Sequence, residues 1–540
     1  MDIKLTALDW LVFAIYFVVL AGMGWYLSQR RSGDARDYFL GGNQMPVWAV
    51  AISVMATSQS AATFLGGPDQ GFRGDLSYMA TNIGAFIAAF VVMAFLIPRY
   101  YQARVSTVYG LLEQRFGASA KRHAGGMYLF GRVFASGARL YMAAIAVSMV
   151  MFHNIQADSV VMSIMLLAFG ALAYSVVGGI RSVIYTDALQ CGVYVLAALA
   201  VLGYLLWMIP ADIGTIFSAL QQPLDGSGSK LTVLDFSLDF SSTGVFTFWS
   251  AITGFVLLNI AAFGMDQDMT QRVLTCKDGR SGASAMLLSV VMIIPVMLLF
   301  IFIGMLLSIF YQRPDLMQAQ QGTELATTFA GESVTVFMYY VLNEMPAGLR
   351  GLVTVGVVAA ALSTMTSGLN SMSSVLIQDL YRPWRERRQA VSKNKTQSDC
   401  SERHFVRAGQ FGMLLTAMAL SAMAVLCFYW QQYSDMPLLA FALSVMVFSY
   451  SGLLGVYFTV LLTNRGNARS VTAALLTGFI VTLFFQPYIL SLFDPWFAGW
   501  DLGFTWQLCI GTLIAFMVCC SGRPRQHTSS IHLDVTGDAQ

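Results

Sequence analysis

The chain of 540 residues is too apolar to be a soluble protein. Hydrophobic residues make up 56% of it and charged residues 11%, whereas about 25% of the residues of a soluble domain are charged. The net charge of +2 does not indicate a nucleic-acid partner. The apolar residues form long continuous runs instead of short alternating segments, and this pattern predicts an all-α, multi-pass membrane protein.

Thirteen segments are apolar over the roughly 20 residues that a helix needs to cross a bilayer. In chain order, the predicted spans cover residues 6–27, 46–67, 77–98, 124–152, 157–177, 184–209, 246–265, 283–311, 347–378, 405–429, 436–462, 468–490 and 503–521. We expect them to form one transmembrane domain over residues 1–521, with a core at 46–462. Residues 522–540 are expected to form a disordered cytoplasmic tail.

Basic residues alternate from one predicted loop to the next. One set of alternate loops carries Arg30, Arg31, Arg36, Arg99, Arg104, Arg115, Lys121, Arg122, Arg272, Lys277, Arg280, Arg382, Arg385, Arg387, Arg388, Lys393, Lys395 and Arg403. The other set holds little beyond Arg73, Lys230, Arg313 and Arg350. Because cytoplasmic loops are enriched in Lys and Arg, the N-terminus is predicted to lie outside and the C-terminus inside.

The second span has a polar middle. It reads PVWAVAISVMATSQSAATFLGGP, and the stretch ATSQSAAT is too polar for a helix that faces lipid. This predicts a discontinuous helix, whose unwound carbonyls suit a cation and whose half-helix N-terminus suits an anionic group. A packing face of small residues is the alternative. The seventh span has a weaker interruption at NIAAFGMDQ, five spans later, as two inverted five-helix repeats would place it.

Charged side chains inside a bilayer are costly, and they therefore mark candidate functional positions. At membrane depth the candidates are Arg132 and Arg139 in the fourth span, Asp187 in the sixth, and Asp266 and Asp268 at the inner end of the seventh. For the two arginines, the alternative is pairing with acidic or carbonyl groups that lock the bundle. For the aspartate of the sixth span, which comes early in that span, the alternative is an interfacial charge that reaches the headgroups.

The ninth span carries hydroxyl groups on one helical face. Side chains that recur there at intervals of three and four residues are Ser363, Thr366, Ser367, Asn370, Ser371 and Ser374. Together with freed carbonyls, such hydroxyls offer uncharged oxygen ligands to a monovalent cation. Close helix packing is the alternative.

Taken together, these segments resemble the sodium:solute symporter family, which has the LeuT-type five-plus-five inverted repeat. The resemblance rests on DYFLGG at 37–42, ATSQSAATFLG at 56–66, GGIRSVIYTDALQ at 178–190, DQDMTQRVL at 266–274 and ALSTMTSGLNSMSSVLIQDLYRP at 361–383. It extends over about residues 6–490. It implies one extra helix before the core and two after it, sodium as coupling ion, no other cofactor and no enzymatic activity.

The resemblance also implies sodium ligands. The positions that match the family's Na2 site are the carbonyls of Ala56, Gln59 and Ala360 and the hydroxyls of Ser363 and Thr364. Asp187 matches an aspartate near the inward exit of that ion. Some members, including the sialic-acid branch, bind a second sodium there, and the matching side chains in this chain are Asp187, Ser363, Thr366 and Ser367.

The positions that match solute contacts depart from the sugar pattern. Sugar transporters carry Glu-Gln where this chain has Ala62 and Thr63, and their third-span glutamate is replaced by Asn82. Asn259 keeps an asparagine that contacts sugar in the family.

Hydroxyls that hold the carboxylate in sialic-acid symporters are matched by Ser60 and Thr63. The arginine that completes that site is replaced by Ala135, with Arg132 one turn back and Arg139 one turn on. The leading hypothesis is therefore a sodium-coupled importer of a small carboxylate-bearing solute, either a sugar acid or a monocarboxylate, working by alternating access.

A neutral sugar or polyol is the alternative solute, and a transporter-like sensor or a channel is the alternative class of protein. We expect a plasma-membrane protein of the bacterial inner-membrane type. Its expected partners are sodium ions, the solute and the lipid bilayer, with no nucleic acid.

Overall fold

The computed structural model describes residues 5–29, 35–224, 226, 228–317, 328–329, 332–333, 335–391, 402–431, 438–493 and 499–523. Within these ranges the chain is almost wholly helical, which confirms the predicted all-α class. The only sheet in the described part is an antiparallel pair of two-residue strands, β1 (Thr328–Phe329) and β2 (Glu332–Ser333). All but the first two residues of the predicted tail lie outside the described residues.

The helices of the first part of the chain are α1 (Ala7–Ser28), α2 (Ala35–Leu40), α3 (Val47–Ser58), α4 (Ala61–Arg73), α5 (Thr81–Val91), α6 (Ile97–Ala103), α7 (Gly110–Phe116), α8 (Ala118–Phe152), α9 (Ala157–Met208) and α10 (Ile213–Gln221). Those that follow are α11 (Phe248–Ile252), α12 (Gly254–Ile260), α13 (Gln267–Val273), α14 (Gly279–Gln312), α15 (Val336–Asn343), α16 (Leu349–Val375), α17 (Arg382–Val391), α18 (Glu402–Gln431), α19 (Leu438–Leu462), α20 (Ala468–Phe484), α21 (Pro487–Leu490) and α22 (Phe504–Ser521). Short 3-10 turns cover Gly41–Asn43, Leu76–Ala80 and Ser491–Phe493, and π-helical turns cover Val92–Leu96, Ala261–Met265 and Leu376–Tyr381.

Eleven helical stretches of the described chain are long and apolar enough to cross a membrane, or twelve if α3 and the segment before it, bent by 112°, form one span. The predicted number of thirteen is not confirmed. Two predicted spans are absent from the eleven: residues 46–67 are broken in the middle, and residues 468–490 contain only the 17-residue α20. The predicted spans 157–177 and 184–209 form α9, which bends at Gly179 with a left-handed φ of 59°.

Both predicted interruptions are present. Helix α3 ends at Ser58 and α4 begins at Ala61, with extended backbone at Gln59 and Ser60 between them. The seventh span consists of α12, a π-helical turn, extended backbone at Asp266 and then α13. In each case the polar residues of the break supply a cap, because the side chains of Ser60 and Asp266 accept a backbone N–H from the following helix.

Helix α16 lies at the centre of the bundle. It contacts α9, α8, α3 and α4, and nearly all of its side chains are buried. The hydroxyl groups of the ninth span therefore face other helices and not lipid. This arrangement brings the oxygen-rich helix beside the break in the second span.

The contact between α4 and α14 depends on glycine, and substitution there should destabilise the fold. A Cβ on Gly71 would collide with the carbonyl oxygen of Ile301, and one on Gly304 would collide with the carbonyl oxygen of Pro68. Overpacking costs about 1–3 kcal/mol and more where backbone must move. We expect Gly71→Ala to lower the melting temperature in detergent and the yield of monodisperse protein. Gly192→Ala in α9, where an added Cβ meets nothing within 4 Å, should leave both unchanged. Equal behaviour of the two variants would contradict this packing.

Candidate functional site

The break between α3 and α4 leaves backbone acceptors free. A helix that ends leaves the carbonyls of its last turn without ladder partners. The carbonyl of Met55 accepts the N–H of Gln59 at 2.9 Å, but within the described chain no hydrogen bond reaches the carbonyls of Ala56 and Gln59. The side-chain oxygen Oε1 of Gln59 is also buried and without a partner among the described residues. Unpaired buried oxygens at one point are the chemistry that a cation requires.

The hydroxyls of α16 lie beside this break. Thr57, in the last turn of α3, hydrogen-bonds to Ser367 at 3.1 Å. Ser363, on the same helix, donates its hydroxyl to Oδ1 of Asp187 at 2.7 Å. Thr364 donates to the carbonyl of Ala360 at 3.1 Å, within the helix. The positions that match the Na2 site therefore lie on α3, in the break that follows it and on α16, and α3 and α16 are in contact.

Asp187 is fully buried on α9, and the interfacial alternative for it is wrong. Its carboxylate accepts hydrogen bonds from Ser53 at 2.5 Å and from Ser363, and it forms an ion pair with Arg272 at 3.1 Å. The side chains that match the second sodium position surround this carboxylate in part. Ser367 is linked to the carboxylate by Nη2 of Arg272, which donates to both groups. Thr366 donates its hydroxyl to the carbonyl of Ser363 at 3.1 Å.

Arg272 was predicted to lie in one of the basic loops. In the structure it is a fully buried residue of α13. Its Nε donates to Ser53 at 2.7 Å, and its Nη2 donates to Asp187 and to the hydroxyl of Ser367. Its Nη1 forms an ion pair at 3.1 Å with Asp268, four residues earlier on the same helix. Sequence reasoning missed this residue because it ended the seventh span at residue 265. The spacing of four between an aspartate and an arginine after a break was the signal that a helix restarts.

Arg132 pairs with acidic side chains and so locks the helix bundle, which is the alternative that the sequence analysis gave for it. Its guanidinium forms ion pairs with Asp266, at 3.0 Å, and with Asp268, and all three side chains are buried. Tyr450 on α19 donates its hydroxyl to Asp266 at 2.6 Å. Arg132 therefore joins α8 to the break in the seventh span, and both of its carboxylate partners are held in place.

Arg139 differs from the other two buried arginines. It lies two turns further along α8 than Arg132, and only 9% of it is exposed. Its Nη2 contacts the sulfur of Met446 at 3.3 Å, and its Nη1 has no hydrogen-bond partner among the described residues. No ion pair in the described chain includes it. A buried guanidinium without a carboxylate is costly unless an anion from outside completes it.

The other predicted solute residues lie at the start of α4, on α5 and on α12. Ser60 uses its hydroxyl to cap α4, and Thr63 is buried one turn later in that helix, which contacts α8. Asn82 on α5 donates to the carbonyl of Met79 at 3.0 Å. Asn259 on α12 donates to the carbonyl of Phe255 at 2.8 Å. Helices α5 and α12 are in contact, but within the described chain no hydrogen bond joins these four side chains to one another or to Arg139.

The known proteins that resemble this chain are sodium-coupled transporters. The model of the sodium:solute symporter family matches residues 38–465. The sodium/sialic acid symporter NanT of Aliivibrio fischeri is 24% identical over 95% of this chain and 92% of its own length. The sodium/sialic acid symporter SiaT of Proteus mirabilis is 26% identical over 87% of this chain and 88% of its own. The mouse sodium-coupled monocarboxylate transporter 2 is 25% identical over 70% of this chain and 58% of its own.

Two solved structures share the fold. A substrate-bound, outward-open structure of a Na⁺-coupled sialic acid symporter superimposes with a TM-score of 0.75 at 22% identity, covering 96% of this chain and 97% of that one. A closed conformation of Mhp1, a nucleobase-cation-symport-1 family transporter, gives a TM-score of 0.53 at 14% identity, with coverage of 91% and 94%. The helices described above therefore have the arrangement of LeuT-like transporters.

Proposed function

The chain belongs to the sodium:solute symporter family, and from that membership and the site we infer that its solute is a small organic acid imported together with sodium. As a member it is a multi-pass, sodium-coupled solute symporter and not an enzyme. The proposal concerns the class of solute, the residues that bind it and the number of sodium ions.

The unpaired guanidinium of Arg139 carries the proposal. Three buried arginines and three buried aspartates lie at the centre of the bundle, so their charges cancel, yet Arg139 has no carboxylate partner. A carboxylate on the solute would supply that partner, and two N–H groups of a guanidinium can bind both of its oxygens. We place the solute between Arg139 and the N-terminal turn of α4, where Ser60 and Thr63 lie, with Asn82 and Asn259 as contacts for its remaining polar groups.

The relatives support an acid. The three sequence relatives reported above are named for sialic acid or for monocarboxylates, and both kinds of molecule carry a carboxylate. The arginine at this position does not align with the sialic-acid pattern, because the matching residue is Ala135, four positions earlier. A displaced arginine is expected to accept an acid of different shape.

We place the first sodium at the break, between the carbonyls of Ala56, Gln59 and Ala360 and the hydroxyls of Ser363 and Thr364. A second sodium is proposed at Asp187, Ser363, Thr366 and Ser367. Moving one charge through 100 mV is worth about 2.3 kcal/mol, which corresponds to a roughly fifty-fold concentration ratio. An anion that enters with one sodium is electroneutral and gains nothing from this potential, whereas an anion that enters with two sodium ions gains all of it.

Ser363→Ala should lower the affinity for sodium about tenfold or more. The substitution removes a hydroxyl ligand and leaves the bound ion one oxygen short, and an unsatisfied buried charged group costs about 1–3 kcal/mol or more. Sodium dependence of uptake should shift to higher concentration at normal protein abundance. Ser374→Ala is the matched control, because that buried hydroxyl of the same helix has no hydrogen-bond partner in the described chain. An unshifted sodium dependence for Ser363→Ala would remove this residue from the site.

The orientation remains a proposal. Arg272 lies in α13 and not in a loop. Lys277 and Arg280 still follow α13 in the chain, so the alternation of basic loops persists. We therefore keep the N-terminus outside and the C-terminus in the cytoplasm, in a bacterial inner membrane.

The solute class is tested by uptake into proteoliposomes with an inward sodium gradient, and with potassium in its place as the control. The panel comprises sialic acids, monocarboxylates, amino acids, sugars and vitamins. The proposal predicts sodium-dependent accumulation of an acid. Sodium-driven accumulation of a neutral sugar or polyol, with no acid transported, would contradict it.

A further inference from the structure

We propose that Arg272 is a tethered cation, which occupies the second sodium position in the absence of sodium and is displaced from Asp187 when the ion binds. The inference rests on the proposed second sodium site and adds to it a residue that no family motif assigned to the ion. It also explains how sodium and solute would favour each other's binding.

The contacts of Arg272 coincide with those required of the ion. A single nitrogen, Nη2, contacts Asp187 and the hydroxyl of Ser367, which are two of the four side chains proposed as sodium ligands. A third, Ser363, donates to the other oxygen of the same carboxylate. The guanidinium and a sodium ion cannot both occupy the space between Asp187 and Ser367, so each excludes the other.

The displaced guanidinium has a second partner on its own helix. Its Nη1 already forms an ion pair with Asp268 at 3.1 Å and donates to the carbonyl of that residue at 2.6 Å. Release of Asp187 therefore does not leave a buried cation without an anion, which would be prohibitive in the interior. The exchange requires the side chain of Arg272 to move, while its ion pair with Asp268 on the same helix persists.

The exchange extends to the helix that carries the proposed solute contact. Asp268 also forms an ion pair with Arg132 on α8, so a guanidinium that shifts fully onto Asp268 competes with Arg132 for this carboxylate. Arg139 lies two turns away on the same helix. The chain of contacts from Asp187 to α8 is continuous, and every member is buried.

The charges give this exchange a direction. With Arg272 on Asp187, the six buried charges cancel. The second sodium adds one positive charge to the interior, and the carboxylate of the solute adds one negative charge. These two charges cancel, so each should raise the affinity for the other, and the coupling is reciprocal.

Equilibrium binding of radioactive sodium to the purified protein, without solute, tests the proposal. Arg272→Gln removes the competing cation and leaves Asp187 exposed to sodium. We expect sodium affinity about tenfold higher or more, in line with the coupling measured for close charge pairs. Arg272→Lys, which retains a charge on the same helix, should stay near the parent. Arg181→Gln is the matched control, because that residue lies on α9 and pairs with Asp37 outside this network. Unchanged or weaker sodium binding by a folded Arg272→Gln protein would overturn the proposal.

A double variant covers the case in which Arg272→Gln does not fold. Asp187→Asn combined with Arg272→Gln removes both members of the ion pair and keeps the interior neutral. The proposal predicts a folded protein that binds one sodium fewer than the parent. If the double variant binds as many sodium ions as the parent, the ion pair is only structural and the proposal is overturned. A parent whose uptake does not depend on sodium would instead contradict the proposed function, so the two failures are distinguishable.

Discussion

Replacing Arg139 by alanine should weaken binding of the transported acid by about a hundredfold or more. Its guanidinium is buried, and its Nη1 has no partner in the described chain, so the carboxylate of the solute would be its only counter-charge. Truncating one partner of a buried charge pair costs about 2–5 kcal/mol, and each 1.4 kcal/mol is a factor of ten in affinity. The measurement is equilibrium binding of the acid in saturating sodium.

An uncharged analogue provides the control for this variant. The methyl ester or amide of the same acid has no charge to pair with Arg139, so its weak binding should change little between parent and variant. Sodium binding without solute should persist as well, because Arg139 contacts none of the proposed ligands. Equal losses for the acid and its ester would mean that Arg139 shapes the site without binding the carboxylate.

Asp187→Asn should reduce sodium-driven accumulation about fifty-fold at a membrane potential of 100 mV, because an acid carried with one sodium forfeits about 2.3 kcal/mol. The substitution removes the charged ligand of the second sodium and leaves Arg272 with Asp268 alone. Uptake should become insensitive to membrane potential and lose its sodium cooperativity. The measurement is acid accumulation at imposed potassium diffusion potentials.

Asp158→Asn is the control for this variant. Asp158 lies on the same helix, α9, but is exposed in its first turn, so the variant should keep the voltage response of the parent. Full voltage sensitivity in the Asp187→Asn protein would contradict a second sodium at this carboxylate.

The breaks in the second and seventh spans were predictable because each cause is local. Small and hydroxyl-bearing residues in ATSQSAAT cap and unwind a helix wherever the fold places them. The hydroxyls of α16 were predictable for the same reason, since their spacing alone puts them on one face. The family resemblance then identified which of these oxygens match ion ligands.

The roles of the buried charges were not predictable from local sequence. Arg132 and Arg139 stand on one face of one helix, and only the position of Asp266 and Asp268 decides that the first is paired and the second is not. Arg272 follows the break in the seventh span, where a hydropathy reading sees a loop. Its burial depends on α13 packing against α3 and α16, which are contacts between segments far apart in sequence.

The number of thirteen spans was not confirmed for a related reason. Hydropathy counts apolar residues whether or not the helix through them is continuous. The second span is apolar on both sides of its polar middle but is broken at residues 59–60, and the apolar stretch at 468–490 contains a helix of only 17 residues. A tertiary structure can use such a segment inside the membrane without a single straight helix.

The most direct test of the account measures uptake of radioactive sodium and of the labelled acid in the same proteoliposomes, at one time and one gradient. The proposed function predicts that the two are taken up together, with two sodium ions for each molecule of acid. It also predicts that neither is taken up at this rate when the other is absent. Accumulation of the acid without any accompanying sodium would contradict it.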